Sequence, residues 1–208
     1  MRNSHQTRHA LNYIPMRLFI GIPLADSVLS EISAVVARLR SNADSLRWTA
    51  SETWHITLQF LGDTTPAQYD CLLPHLAALR SPPVPVRLEK LGFFDRPGVF
   101  FADIAACHEL VSLAQRVTAA TALCGFVAEA RLFHPHITLA RAKGQGAARN
   151  RPLQQLKAKI SRQPSFTPFA AHEFLLYESH LSPGGSIYEI RARFPLARPL
   201  PAAGLPCW

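Results

Sequence analysis

The tetrapeptide His-Ile-Thr-Leu occurs twice in this chain, at residues 55–58 and 136–139, and this repeat constrains the fold more than any other feature. Internal repetition points to two structurally related halves. Both copies lie in stretches that read as β-strand, where alternate residues share a face. His55 and Thr57 then point one way while Ile56 and Leu58 point the other, and His136, Thr138, Ile137 and Leu139 divide in the same manner. Each copy anchors itself with two apolar side chains and presents an imidazole beside a hydroxyl. Two such units facing each other make a pocket with two histidines and two threonines.

The 208 residues suffice for one domain or for two small lobes with a shared core. A hydrophobic fraction of 48% suits a globular chain. No apolar run approaches the length of a membrane span, and residues 1–10 are polar and basic rather than a signal core. The expectation is a cytoplasmic protein without membrane association. Lys and Arg number 22 against 14 acidic residues, a net charge of +8. That excess fits either an ordinary arginine-rich surface or a polyanionic partner such as RNA or a nucleotide; charge alone does not choose. Cys71, Cys107, Cys124 and Cys207 form no Cys-x-x-Cys pair, so zinc-site spacing is absent. Cys71 and Cys124, in apolar helical surroundings, read as small buried hydrophobes with no demand for a disulfide.

Along the chain, residues 16–23 read as a strand, followed by a helix whose apolar stripe is Val28, Ile32, Val35, Val36 and Leu39, with Asp26 placed to cap it. Residues 46–49 are short and strand-like. Residues 54–60 alternate, with Trp54, Ile56, Leu58 and Phe60 on the core face, and Leu61-Gly62-Asp63 is expected to end the strand. A helix is predicted over 67–80, with Pro74 kinking or splitting it. Strands follow at 84–91 and 99–104 around the turn Asp95-Arg96-Pro97-Gly98, then a helix over 108–123 stopped by Gly125. The second motif strand covers 133–141. Residues 143–151 read as a basic loop, 152–160 as a short helix, and 169–180 and 187–194 as strands around Ser182-Pro183-Gly184-Gly185. This order lacks the strict alternation of a doubly wound fold. The predicted class is α+β: two lobes, each with a mainly antiparallel sheet and outer helices. Residues 1–15 form an extension, 16–197 the bilobal domain and 198–208 a Pro-rich tail.

An isolated His-x-Thr strand means little, since a half-buried histidine hydrogen-bonded to its surroundings is the ordinary case. Two identical copies point instead to a shared site. Near neutral pH one imidazole can be neutral and the other protonated, so one can take a proton from water while the other gives a proton to a leaving group. Phosphoester cleavage needs both acts on opposite sides of phosphorus. Threonine hydroxyls can donate to the phosphate oxygens. The set His55, Thr57, His136 and Thr138 therefore suits acid–base attack on a phosphodiester without a metal or cofactor. Zinc is the alternative, with His134 two residues before His136, but no His-Glu-x-x-His helix is present and threonine is not a usual zinc ligand.

The paired motifs, roughly eighty residues apart, resemble those of the 2H phosphoesterase superfamily, and within it the RNA 2′,3′-cyclic phosphodiesterases once named 2′-5′ RNA ligases. The likeness runs over nearly all of residues 16–196: Met-Arg-Leu-Phe-Ile-Gly-Ile-Pro at 16–23, Leu-Arg-Trp at 46–48, Trp-His-Ile-Thr-Leu-Gln-Phe-Leu-Gly at 54–62 and Phe-His-Pro-His-Ile-Thr-Leu-Ala-Arg at 133–141. Ser-Pro-Gly-Gly at 182–185 and Arg-Phe-Pro-Leu at 193–196 complete it. The resemblance implies pseudo-symmetric lobes around an active-site cleft and hydrolysis of a terminal RNA 2′,3′-cyclic phosphate to a 2′-phosphomonoester without a metal. It implies His55 as proton donor, His136 as proton acceptor, Thr57 and Thr138 on the phosphate, Arg141 as a phosphate contact and Phe60 in the equivalent place after His55. The partners are RNA ends or nucleotides bearing the cyclic phosphate, and the chain is expected to be a monomer. Strict alternation puts Arg141 on the face opposite His136, so the strand must twist or bulge, or the side chain must reach around its end; otherwise Arg141 is a surface residue. Phe60 divides between core packing and base stacking, His134 between support of the site and simple exposure, and Trp48 reads more readily as core than as a stacking platform. Two alternatives keep the same residues: 2′-5′ ligation of RNA ends, and a non-catalytic RNA- or nucleotide-binding module.

Overall fold

The computed structural model describes residues 15–40, 46–143, 147–182 and 185–196. Parts of the sequence reading lie outside these: residues 1–14 of the extension, 144–146 of the basic loop, Pro183-Gly184 and the tail. The elements run β1 (Met16–Pro23), α1 (Asp26–Leu39), β2 (Leu46–Trp48), a 3-10 turn (Ser51–Thr53), β3 (His55–Thr64), α2 (Pro66–Ala77), β4 (Val84–Val86), β5 (Leu88–Phe94), β6 (Val99–Ile104), α3 (His108–Ala122), β7 (His136–Ala142), α4 (Ala147–Lys159), β8 (Phe169–Ala171), β9 (Glu173–Ser182) and β10 (Gly185–Pro195).

Two four-stranded sheets form, in the orders β10-β9-β1-β3 and β2-β7-β6-β5, with β4 and β8 as a separate pair. The strand pairs with recorded register are all antiparallel, so the chain is α+β with the two motif strands in different sheets. The halves are interleaved in sequence. Helix α3 lies between β6 and β7, both of the second sheet, yet packs on β3 of the first and against α2, while α4 packs on β7. One continuous apolar core joins the halves, from Ile20, Ile56 and Phe174 to Phe100, Leu113 and Ile137.

Most element choices follow from local chemistry. The stripe Val28, Ile32, Val35 and Val36 is buried as its spacing requires, each full burial contributing roughly 1.5–3 kcal/mol. Asp26 does not cap α1: Ala25 holds that position and Asp26 is the first helical residue, where its charge favours the positive end of the helix dipole. Helix α2 starts one residue earlier than predicted, on Pro66, behind a capping box in which Thr65 Oγ1 accepts from Gln68 N–H at 3.2 Å and Gln68 Oε1 from Thr65 N–H at 3.1 Å. Pro74 does not split it into two elements; it sits in the last turn, and the helix ends at Ala77. The predicted strand 84–91 is two strands broken at Arg87, and 169–180 is two broken at His172. Strand β3 runs on to Thr64, with Gly62 at φ 72°, instead of ending at Phe60. Helix α4 begins at Ala147, so Arg149 and Arg151 belong to a helix rather than to a loop.

The cysteine reading is corrected. Cys71 on α2 and Cys124, just after α3, form a disulfide with S–S 2.09 Å and Cα–Cα 5.8 Å. Packing of α2 on α3 brings the two backbones within the span a disulfide requires, a long-range fact that spacing 53 residues apart does not reveal.

Candidate active site

His55 and His136 open their respective strands and are oriented by the same device. His55 Nδ1 lies 2.7 Å from Thr53 O, and His136 Nδ1 lies 2.8 Å from His134 O. A carbonyl oxygen only accepts, so each Nδ1 carries a proton and each neutral ring keeps its lone pair on Nε2. His55 Nε2 is 3.1 Å from Thr57 Oγ1. The imidazoles sit in matching aromatic settings. Phe19, Tyr188 and Tyr177 surround His55 at centroid distances of 4.6, 5.3 and 5.7 Å. Phe94 and Phe101 flank His136 at 5.1 and 5.3 Å. The His55 ring lies close over Gly21 of β1, where a Cβ would stand 3.0 Å from Ile56 O and 3.2 Å from His55 Cδ2; only glycine leaves that approach free.

These surroundings set the charge states. Burial pulls His55 down to about 4, the Thr53 carbonyl opposing this and the nearby His136 adding to it. His136 is also lowered, again first by burial, with His134 and Arg141 lowering it further and the His134 carbonyl and Asp103 acting the other way. Burial raises Tyr177 to about 12, keeping the phenol neutral beside His55. His134 supports the second motif: its ring is bonded to Asp103 Oδ1 at 2.9 Å and its carbonyl orients His136.

Each motif strand carries a bulge at the residue immediately after its threonine. On β3, Phe60 pairs with Phe19 and Gln59 with Ile20, but Thr57 pairs with Gly21, so Leu58 is extra. On β7, Ala140 pairs with Phe100 and Thr138 with Phe101, so Leu139 is extra. The extra residue resets the alternation. Leu58 and Gln59 are both buried, as are Leu139 and Ala140, and the next residue in each strand, Phe60 or Arg141, returns to the open face. Arg141 therefore stands on the side of His136 and Thr138, as the bulge alternative required. Phe60 is 58% exposed; the core-face assignment fails because the bulge shifts the phase by one residue. The same shift buries Gln59, whose Oε1 accepts from Thr121 Oγ1 at 2.8 Å.

All six predicted residues, His55, Thr57, Phe60, His136, Thr138 and Arg141, line one cleft of about 390 Å³. Its remaining walls are Arg47, Trp48, Thr49, Ala50 and Thr53 on one side and Leu181, Gly185, Ser186 and Tyr188 of the β9–β10 hairpin on the other. Among the described residues no aspartate or glutamate lines it. Trp48 combines both readings, lining the cleft while meeting Phe100 edge-on at 5.8 Å. A larger open depression of about 520 Å³ beside Pro85, Cys107 and Phe169 contains no motif residue.

Thr49 was not anticipated. Its N–H donates to Leu139 O at 2.9 Å, its Oγ1 lies 2.9 Å from both Thr138 O and Leu139 O, and it accepts from Trp54 Nε1 at 2.8 Å. It thus fastens the β7 bulge to the residue preceding His55. Arg47 and Tyr188 were also missed as cleft residues. The Leu-Arg-Trp stretch was the only signal for Arg47, and nothing local marks Tyr188.

Two imidazoles with outward Nε2 atoms, flanked by hydroxyls and a guanidinium in a cleft that no described carboxylate lines, make a site for acid–base chemistry on an anionic ester. The chain matches the LigT like Phosphoesterase family over residues 22–101 and 104–188, and it belongs to that family. An RNA 2′,3′-cyclic phosphodiesterase of Geobacillus stearothermophilus is 33% identical over 86% of this chain, which spans 56% of that relative's length. One from Thermotoga maritima is 28% identical over 84% of this chain and 92% of its own, and one from Aeropyrum pernix 34% identical over 57% and 72%. Among solved structures, E. coli LigT complexed with 3′-AMP superposes with TM-score 0.75 at 26% identity, covering 89% of this chain and all (100%) of that one.

Proposed function

We propose that this chain hydrolyses the 2′,3′-cyclic phosphate at RNA ends to a 2′-phosphomonoester, with residues 16–197 as the catalytic unit. The observation that carries the reading is the convergence of two Nδ1-anchored histidines, each with its threonine, on one cleft free of carboxylates among the described residues. The names of the relatives support the substrate class.

His136 Nε2 takes a proton from water as the oxygen attacks phosphorus. The bond from phosphorus to the 3′ oxygen breaks, and His55 Nε2–H protonates that oxygen. The product carries a 2′-phosphate and a 3′-hydroxyl, and proton exchange with solvent resets the pair. Thr57, Thr138 and Arg141 donate to the non-bridging oxygens as charge builds, while exposed Phe60 offers a ring to the terminal base. A bound phosphate anion favours the imidazolium form, which loads the acid despite the low pKa of the free site. No metal enters the scheme. The reading is completed by a cytoplasmic monomer; among the described residues no helix is long and apolar enough to cross a membrane.

One observation favours a second assignment of roles. Burial holds His55 down at about 4, which disfavours a proton on it in the free cleft. If substrate does not raise it, His136 is the acid, His55 the base, and the product a 3′-phosphomonoester. End-group analysis of a defined cyclic-phosphate RNA, with chelator present, tests both. A 2′-phosphate supports His55 as donor, a 3′-phosphate exchanges the roles, and no hydrolysis rejects the function.

A further inference from the structure

The cleft holds one more cation than the cyclic phosphate needs. In the β2–β7 pairing Arg47 stands directly opposite Arg141, and cross-strand partners share a face of the sheet. Both are exposed and both line the cleft. Like charges directly opposite each other destabilise a sheet. Elsewhere the chain places carboxylates beside its arginines, as in Arg87–Glu89, Arg191–Glu189 and Arg193–Glu173. Here, among the described residues, no carboxylate pairs with either arginine or lines the cleft. An unpaired cross-strand arginine pair is relieved by an anion that both forks can bind. The single charge of a cyclic phosphate is already met by Thr57, Thr138 and Arg141. Arg47 lies on the edge strand β2, one strand farther out than the strand of His136.

We propose that Arg47, beside the Arg141 that holds the cyclic phosphate, forms a second anion subsite that takes the phosphate on the 5′ side of the terminal nucleotide. The substrate preferred is then a nucleotide carrying two phosphate groups, the cyclic one at its 2′,3′ end and another at its 5′ oxygen, over a nucleoside cyclic phosphate with a free 5′-hydroxyl. This rests on the proposed hydrolysis. The 5′ phosphate can be an internucleotide diester or a terminal monoester, and the two are separable by substrate.

Wild type, Arg47→Ala and Arg47→Lys are compared on three substrates: a nucleoside 2′,3′-cyclic phosphate, the same compound with a 5′-phosphate, and a dinucleotide ending in the cyclic phosphate. In wild type, kcat/KM should rise at least tenfold from the first to the dinucleotide, mainly through KM. In Arg47→Ala that ratio should collapse to within about threefold, and Arg47→Lys should recover part of it. A rise for the dinucleotide alone assigns the subsite to an internucleotide diester; a rise for the 5′-phosphorylated nucleotide as well assigns it to either form. No preference in wild type, or an equal loss on all three substrates in Arg47→Ala, overturns the proposal. Equilibrium binding of an uncleaved dinucleotide 3′-phosphate keeps the subsite testable even if wild type turns over nothing, an outcome that would reject the hydrolase reading instead. Its affinity should fall at least fivefold in Arg47→Ala, with a salt dependence smaller by about one phosphate contact. Unchanged affinity and salt slope overturn the subsite.

Discussion

Phe60 and Arg141 occupy the same place in the two halves of the molecule, each turned into the cleft by a single extra residue two positions earlier in its strand. The repeat is therefore structural beyond the four identical residues, while its last position differs: an aromatic ring in one half, a guanidinium in the other. Arg141→Ala should lower kcat by at least tenfold, because a donor that strengthens as charge builds on phosphate acts on the rate constant. Phe60→Ala should act mainly on KM. Arg151→Ala, on exposed α4 surface, should change neither for a small cyclic nucleotide. Steady-state kinetics of the three variants check this ordering.

Thr49 joins the second bulge to Trp54, and its loss should be felt in both halves. Thr49→Val removes the hydroxyl and leaves the Trp54 Nε1–H without its acceptor, at a cost of about 1–3 kcal/mol. The expected outcome is a roughly tenfold fall in kcat with little change in KM, because misaligned imidazoles slow the step more than they weaken binding. Thr49→Ser, which keeps both bonds, should restore kcat. Urea melts and kinetics of the pair separate this positioning role from mere loss of stability.

The pH dependence follows from the two lowered histidines. The kcat/KM profile reports the free enzyme, so the bell should centre below pH 6.5, its apparent limits belonging to the pair. Stability should follow the same direction. The folded pKa of His55, about 4, lies below its unfolded value near 6.5. The unfolded chain therefore takes up the proton first as pH falls, and stability present above pH 6.5 is lost progressively towards pH 4. Chemical denaturation from pH 7.5 to 4 should show this slope in wild type and a shallower one in His55→Ala. A rate that climbs steadily into alkaline pH would indicate hydroxide attack without a histidine base.

The Cys71–Cys124 link closes a long loop, 53 residues in separation, for which about 2–4 kcal/mol is the usual stabilisation. Thermal melts should show reductant lowering the midpoint of wild type by roughly 5–15 °C and leaving Cys71→Ser unmoved. The bond also bears on the expected compartment, since a reducing cytosol keeps such pairs as thiols. Mass analysis of alkylated protein prepared directly from cells reads the resident state.

What the sequence made legible is what short-range pattern encodes. The alternation in His-Ile-Thr-Leu placed His55, Thr57, His136 and Thr138 on cleft faces and Ile56, Leu58, Ile137 and Leu139 in the core. The same alternation, carried two residues too far, put Phe60 in the core, because a bulge changes phase without changing composition. Arg141 was recoverable only by admitting that bulge. Thr49, Arg47 and the aromatic setting of His55 depend on which strands become neighbours. Phe19 and Tyr177 meet across β1–β9, and Arg47 meets Arg141 across β2–β7, pairings between segments far apart in the chain. The disulfide was hidden for the same reason.

The proposed chemistry has His55 and His136 together perform metal-independent proton transfer on a cyclic phosphate. Single-turnover hydrolysis of a 2′,3′-cyclic-phosphate RNA, in excess chelator, by wild type, His55→Ala and His136→Ala tests it most directly. Wild type should keep full activity with chelator, and each variant should lose at least 10²-fold, the usual scale for a general acid or base. Near-normal turnover in either variant, or activity abolished by chelator and restored by a divalent ion, would contradict it.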